Sequence, residues 1–143
     1  MGKLGEVKDI AAIGPLRTVL SDVARGGADR AAAFTAIKAI DAGQIADTDR
    51  SALWAAFTGT REERPAEQVA KALIAGGFND RSVVPALIAG LDEGRNKAWF
   101  ANVLLLRHLT GQAIGPEYSF GSRQSHEAEF ARWRTWAATN AAK

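Results

Sequence analysis

Cysteine is absent from the 143-residue chain, and histidine occurs only at His108 and His126. Without thiols the chain forms no disulfide and offers no thiolate to zinc. A metal site would need several convergent carboxylates, and acidic residues adjoin one another only at Glu62-Glu63 and Asp92-Glu93. Glycine-rich phosphate loops are also missing. The sequence therefore predicts neither a metal nor a cofactor.

Long apolar runs are absent as well. No stretch reaches the roughly 18 apolar residues that a membrane-spanning helix needs. Residues 1–5 (Met-Gly-Lys-Leu-Gly) lack the apolar core of a secretory signal. We expect a cytoplasmic protein, and the alternative is a periplasmic protein whose targeting segment has been removed.

Charge of one sign is not concentrated anywhere. The chain has 18 basic and 16 acidic residues, a net charge of +2. A non-specific nucleic-acid binder usually carries a clustered positive surface. No such cluster is visible along the sequence, so nucleic-acid binding through a basic groove is the alternative and not the first expectation.

The residues that are abundant favour helices. Alanine is frequent, and apolar residues recur at spacings of three and four, which is typical of amphipathic helices. We expect six helices that end near Gly26, Gly43, Gly59, Gly76, Gly94 and Gly111, and a seventh that runs from about Ser125. Pro15 is expected at the first position of the first helix. Asp49 and Ser125 are expected as N-caps, and Gly26-Gly27 and Gly76-Gly77 as left-handed C-caps.

The first six helices follow a period. Leu16, Val19 and Leu20 align with Val84, Leu87 and Ile88 at an offset of 68 residues, and the middle helix pair lies about halfway between. A period near 34 residues is typical of stacked helical repeats. The prediction is one all-α domain over 1–143, a short right-handed α-solenoid of three helix pairs with a C-terminal capping helix. An irregular helical bundle is the alternative.

Three segments carry a family resemblance. Residues 79–91, with Asp80 followed by Val84-Pro85, resemble the first helix of a bacterial HEAT-like repeat of the armadillo type. The segment 104–112, ending in Leu-Thr-Gly-Gln, is similar to the end of a second helix in such proteins, and Trp133 and Trp136 resemble their closing helix. The resemblance implies an α-solenoid that binds another macromolecule and has no catalytic residue.

Catalytic combinations are not favoured. His108 falls on the apolar stripe of the sixth helix and is expected in or beside the core. Ser125, His126 and Glu127 are triad residue types, but neighbours on a helix point in different directions and do not align. We therefore expect no enzyme.

Two regions are candidates for binding. The loop 115–124 is longer than helix packing requires, and Tyr118, Phe120 and Arg123 are residue types enriched at interfaces. The second candidate is the inner face of the second helices, where charged residues lie off the apolar stripe: Lys38, Asp41, Lys71, Lys97 and Arg107. The alternatives are that the aromatic side chains cover the core and that the charges are only solvated.

The function expected from these features is non-enzymatic protein binding. The partner would engage the concave face or the loop 115–124. An adaptor and an inhibitor, such as an immunity-type protein that blocks a bacterial toxin, fit the size and composition equally.

Overall fold

The computed structural model describes residues 2–60, 62–91, 99–115 and 123–140. Every regular element in these ranges is helical, which confirms the all-α prediction. The seven α-helices found there are α1 (Gly2–Ser21), α2 (Gly27–Ile40), α3 (Asp47–Thr58), α4 (Glu63–Ala75), α5 (Val84–Leu91), α6 (Trp99–Thr110) and α7 (Glu127–Asn140). Short 3-10 turns at Ala42–Gln44, Arg81–Val83 and Arg123–His126 precede α3, α5 and α7.

The described residues form two compact units. The first unit comprises the described part of 1–60 together with 64–78, and the second comprises the described parts of 61–63 and 79–143. The first therefore holds α1 to α3 and nearly all of α4, and the second holds α5 to α7.

In the first unit, α1 packs on α2 and α3, and α2 also packs on α3. Leu20, Phe34, Ile37, Leu53 and Leu73 are fully buried there. Buried residues recur three positions apart on α2 (Phe34 and Ile37) and four apart on α4 (Val69 and Leu73), so each helix presents one face to the core.

Two glycines lie where α2 meets α4 and the residues beside it. A Cβ built on Gly27 would lie 2.5 Å from Thr60 Oγ1 and 3.2 Å from Val69 Cγ2, and one on Gly76, directly after α4, would overlap the ring of Phe34. Because Gly27 and Phe34 on α2 face Val69 and Gly76 in the same order, the two helices run in the same direction.

Buried Arg30 joins three helices of the first unit. Its Nε donates to the Leu20 carbonyl oxygen of α1 at 2.7 Å, and its Nη2 donates to the Ala52 carbonyl oxygen of α3 at 3.1 Å. The Leu20 oxygen belongs to the last turn of α1, where helical carbonyls lack partners within their own helix. The guanidinium therefore satisfies a helix end and links α2 to α1 and α3.

An ion pair links α1 to α3. Arg17 donates from Nε and Nη2 to both carboxylate oxygens of Asp49, at 3.0 and 2.9 Å. Burial of Asp49 raises the pKa of its carboxyl, but hydrogen bonds from Arg17 and the Ala46 N–H, with the charges of Arg17 and Arg50, outweigh burial and hold that pKa below its usual value. On the other side of the ion pair, the hydrogen bond to Asp49 raises the pKa of the Arg17 guanidinium.

The second unit is built around aromatic rings. α5 packs on α6 and on α7. Phe130 and Trp133 of α7 are fully buried, and the Trp99 ring of α6 lies 5.6 Å from that of Phe130. Trp133 Nε1 also donates to the Gly115 carbonyl oxygen at 2.9 Å, so its one polar atom is satisfied.

Several expected helix ends differ from those in the structure. α1 begins at Gly2 and continues through Pro15, which therefore is not its first residue. An interior proline removes one backbone hydrogen bond and crowds the carbonyl one turn earlier, but α1 continues through Pro15. Gly26 is the extended N-cap of α2 and not a C-cap, with φ −68°. The expected left-handed glycine is found at Gly77, with φ +78°.

Asp49 and Ser125 are not N-caps. Asp49 is the third residue of α3, and its carboxylate accepts from the Ala46 N–H at 2.9 Å. Ser125 lies inside the 3-10 turn before α7. Acidic residues favour the whole first helical turn, so the residue type alone does not distinguish a cap from an interior position.

None of the described helices combines the length and the apolar character that crossing a membrane requires.

Candidate functional site: a groove between α2 and α4

An open groove of about 550 Å³ lies between α2 and α4 in the first unit. Its floor and walls are mostly alanine methyl groups. The α2 side consists of Ala28, Ala31, Ala32, Thr35, Ala36 and Ala39, and the α4 side consists of Gln68, Lys71, Ala72 and Ala75. We call this surface the α2/α4 groove.

The groove follows from the spacing of alanines on α2. One face of α2 bears the core residues Ala33, Phe34 and Ile37, which are buried. A second stripe at positions 28, 32, 36 and 39 carries only methyl groups and reaches solvent. Alanine supports the helix without filling the space beside it, so a furrow remains where longer side chains would have closed it.

Polar groups are few and lie at the edge of the groove. Thr35, Gln68 and Lys71 are exposed, and Lys71 is the charged residue among those that line it. The Lys71 Nζ lies 3.7 Å from a carboxylate oxygen of Glu67, one turn earlier on α4, and its side chain is 68% exposed. That separation exceeds ordinary hydrogen-bond length, so the ammonium still has donors to offer.

The predicted inner-face residues do not all meet at this groove. Lys71 lines it, whereas Lys38 is half-buried on α2 and is not among the lining residues. Asp41 follows the end of α2, and its carboxylate accepts from the Gly43 N–H at 3.0 Å, which gives it a role in the local turn. Arg107 lies half-buried on α6 in the second unit.

The remaining predicted residues fall outside what the structure describes. Lys97, Tyr118 and Phe120 lie outside the described residues. Arg123 begins the 3-10 turn Arg123–His126, and its side chain is likewise outside the description. The binding role expected of the loop 115–124 stays a prediction.

His108 does not lie in the core, where it was expected, whereas His126 is buried. His108 is exposed, because it lies on the solvent side of α6 beside and not within its apolar stripe. His126 is buried, with its ring 5.1 Å from that of Trp99 and its Nδ1 4.0 Å from a Glu129 oxygen. Across the described ranges, no three His, Cys, Asp or Glu side chains are grouped so that they could hold a metal ion.

The spacing of alanines on α2 is a sequence signal for the groove, although the binding residues expected from the sequence are mainly charged and aromatic. Ala36 directly precedes the buried Ile37 on α2, but it is half-buried and lines the groove. Alanine at 28, 32, 36 and 39 repeats with helical spacing beside the core stripe. A second stripe of small residues on one helix indicates either close packing or an open furrow, and periodicity alone does not separate the two.

The groove offers a binding partner apolar contact area and a concave surface. A small-molecule site usually supplies a few convergent polar groups in a mostly apolar pocket, whereas here the polar groups stand at the edge. Within the described part of the chain, every buried side-chain nitrogen and oxygen has a partner. The groove therefore favours contact with another apolar surface.

Comparisons with known proteins give no match. A scan against protein-family models finds none for this chain, and searches of curated proteins and of solved structures likewise return none.

Proposed function

We propose that the chain is a non-enzymatic protein-binding module and that the α2/α4 groove receives a helix of its partner. The observation that carries the proposal is the groove itself: an open apolar surface on two parallel helices, edged by polar groups. We also propose that the helices stack as a short HEAT-like α-solenoid. The period near 34 residues and the segments 79–91 and 104–112 support that part.

The dimensions of the groove favour a helix as the occupant. Its α2 side extends from Ala28 to Ala39, a length of about 17 Å at the helical rise of about 1.5 Å per residue. A partner helix of about three turns covers that length. Amphipathic helices bind grooves of this kind through apolar residues spaced three and four apart, and alanine walls allow two helices to approach closely.

The charge at the edge of the groove favours an acidic residue beside the apolar face of that helix. Lys71 is exposed, lines the groove and stands 3.7 Å from Glu67. A partner carboxylate would complete the hydrogen bonding of its ammonium group. The partner class is therefore an amphipathic helix with small apolar residues on one face and an acidic residue next to it.

Site-specific photo-crosslinking in the cell that expresses the chain tests this proposal. A photoreactive amino acid is placed at Ala32 on α2 or Ala75 on α4, two exposed groove positions, and the attached segments are identified by mass spectrometry. The matched control is Ala55, an exposed position on α3 of the same unit that does not line the groove. The proposal expects one protein, attached through one amphipathic segment, from both groove positions and not from Ala55.

Other results contradict the proposal. Attachment of a second copy of this chain would make the groove a self-association surface. Attachment of nucleic acid would favour the alternative function. Equal labelling from Ala55, or none from the groove under conditions where the proteins are folded and expressed, would exclude the groove as the binding surface.

A further inference from the structure

We draw no further inference here: the strongest candidate, the side-chain cluster of buried His126 with Trp99 and Glu129 at the start of α7, rests on one ring contact and one 4.0 Å approach, and no second observation on the described residues indicates a ligand or an alternative state there.

Discussion

At the scale of single residues, arginine side chains reach between the helices of the first unit. Arg17 contacts Asp49 across 32 positions, and Arg30 contacts Ala52 across 22. The sequence predicted Asp49 near the start of α3, but it held no signal for this partner, because charged residues are frequent and contacts over long separations depend on how helices pack. The same limit explains why the surroundings of the two histidines were not foreseen.

The buried position of Asp49 predicts a large cost for its removal. In D49A, Arg17 and the Ala46 N–H lose their acceptor, and we expect the free energy of unfolding to fall by about 2–3 kcal/mol. The control is D47A, in the same first turn of α3. Asp47 pairs with Arg50, but its side chain is 99% exposed, so a loss of less than about 1 kcal/mol is expected. Urea unfolding of both variants checks this, and equal losses would contradict it.

The lowered pKa of Asp49 predicts loss of stability in acid. A carboxyl whose pKa is lower in the folded state stabilises the fold above its unfolded pKa of about 3.9 and loses that contribution as pH falls through the folded value. Arg17 stays protonated throughout this range. The difference in unfolding free energy between the wild type and D49N should therefore be constant at neutral pH and shrink below about pH 4. A difference that stays constant down to about pH 2.5–3, roughly one unit below the unfolded pKa, would contradict the ion pair.

At the scale of helices, glycines defined several ends correctly. α4 ends at Ala75 before Gly76-Gly77, and α6 ends at Thr110 before Gly111, as predicted. The start of α1 was missed because proline is favoured at the first position of a helix and disfavoured inside one, whereas Pro15 lies inside α1. The alanine stripe of α2 was visible, but whether a neighbouring helix covers it depends on the packing of α4, which no local pattern determines.

The position of the Phe34 ring of α2 against Gly76, directly after α4, predicts that Gly76 does not accept a methyl group. In G76A the new Cβ would lie 2.4 Å from the fully buried Phe34 ring, and overpacking should cost about 2 kcal/mol. Gly59 also directly follows a helix, but a Cβ there would meet only ordinary contacts at 3.8 Å, so G59A should change stability by less than about 0.5 kcal/mol. Thermal unfolding compares the two variants.

A double mutant separates overpacking from a general effect of alanine at this position. F34L shortens the side chain that opposes Gly76, so G76A should cost less in the F34L background than in the wild type. Equal costs in both backgrounds would show that the Phe34 ring is not the obstacle.

The edge of the groove predicts a modest, salt-dependent contribution to partner binding. In K71E an acidic residue of the partner meets a like charge, and we expect affinity to fall by about 1 kcal/mol, or about fivefold, since exposed ion pairs contribute little. The loss should diminish at high salt because screening acts on exposed charges. Titration of the partner segment at two salt concentrations measures it, and a loss independent of salt would argue against an electrostatic contact.

At the scale of the whole molecule, the sequence predicted the fold class and not the partner. Apolar spacing and glycine positions were enough for an all-helical chain, which the described residues confirm. The three-pair stacking and the HEAT-like family remain proposals. A sequence period shows that segments resemble one another, but it does not show how the helices are arranged in space. The binding surface was expected at the loop 115–124 or among charged residues of the second helices, whereas the α2/α4 groove is lined mostly by alanine, with Lys71 as its charged residue.

The most direct test of the proposed function compares the affinity of the crosslinked partner segment for the wild type, A32E and A55E, measured by calorimetric titration. A32E places a charge inside the groove at an exposed position, and A55E places the same charge at an exposed position of α3 outside it. If the partner helix lies in the groove, A32E weakens binding at least about tenfold, or about 1.4 kcal/mol, whereas A55E leaves it within about twofold. Equal affinity of A32E and the wild type, with both chains folded, would contradict it.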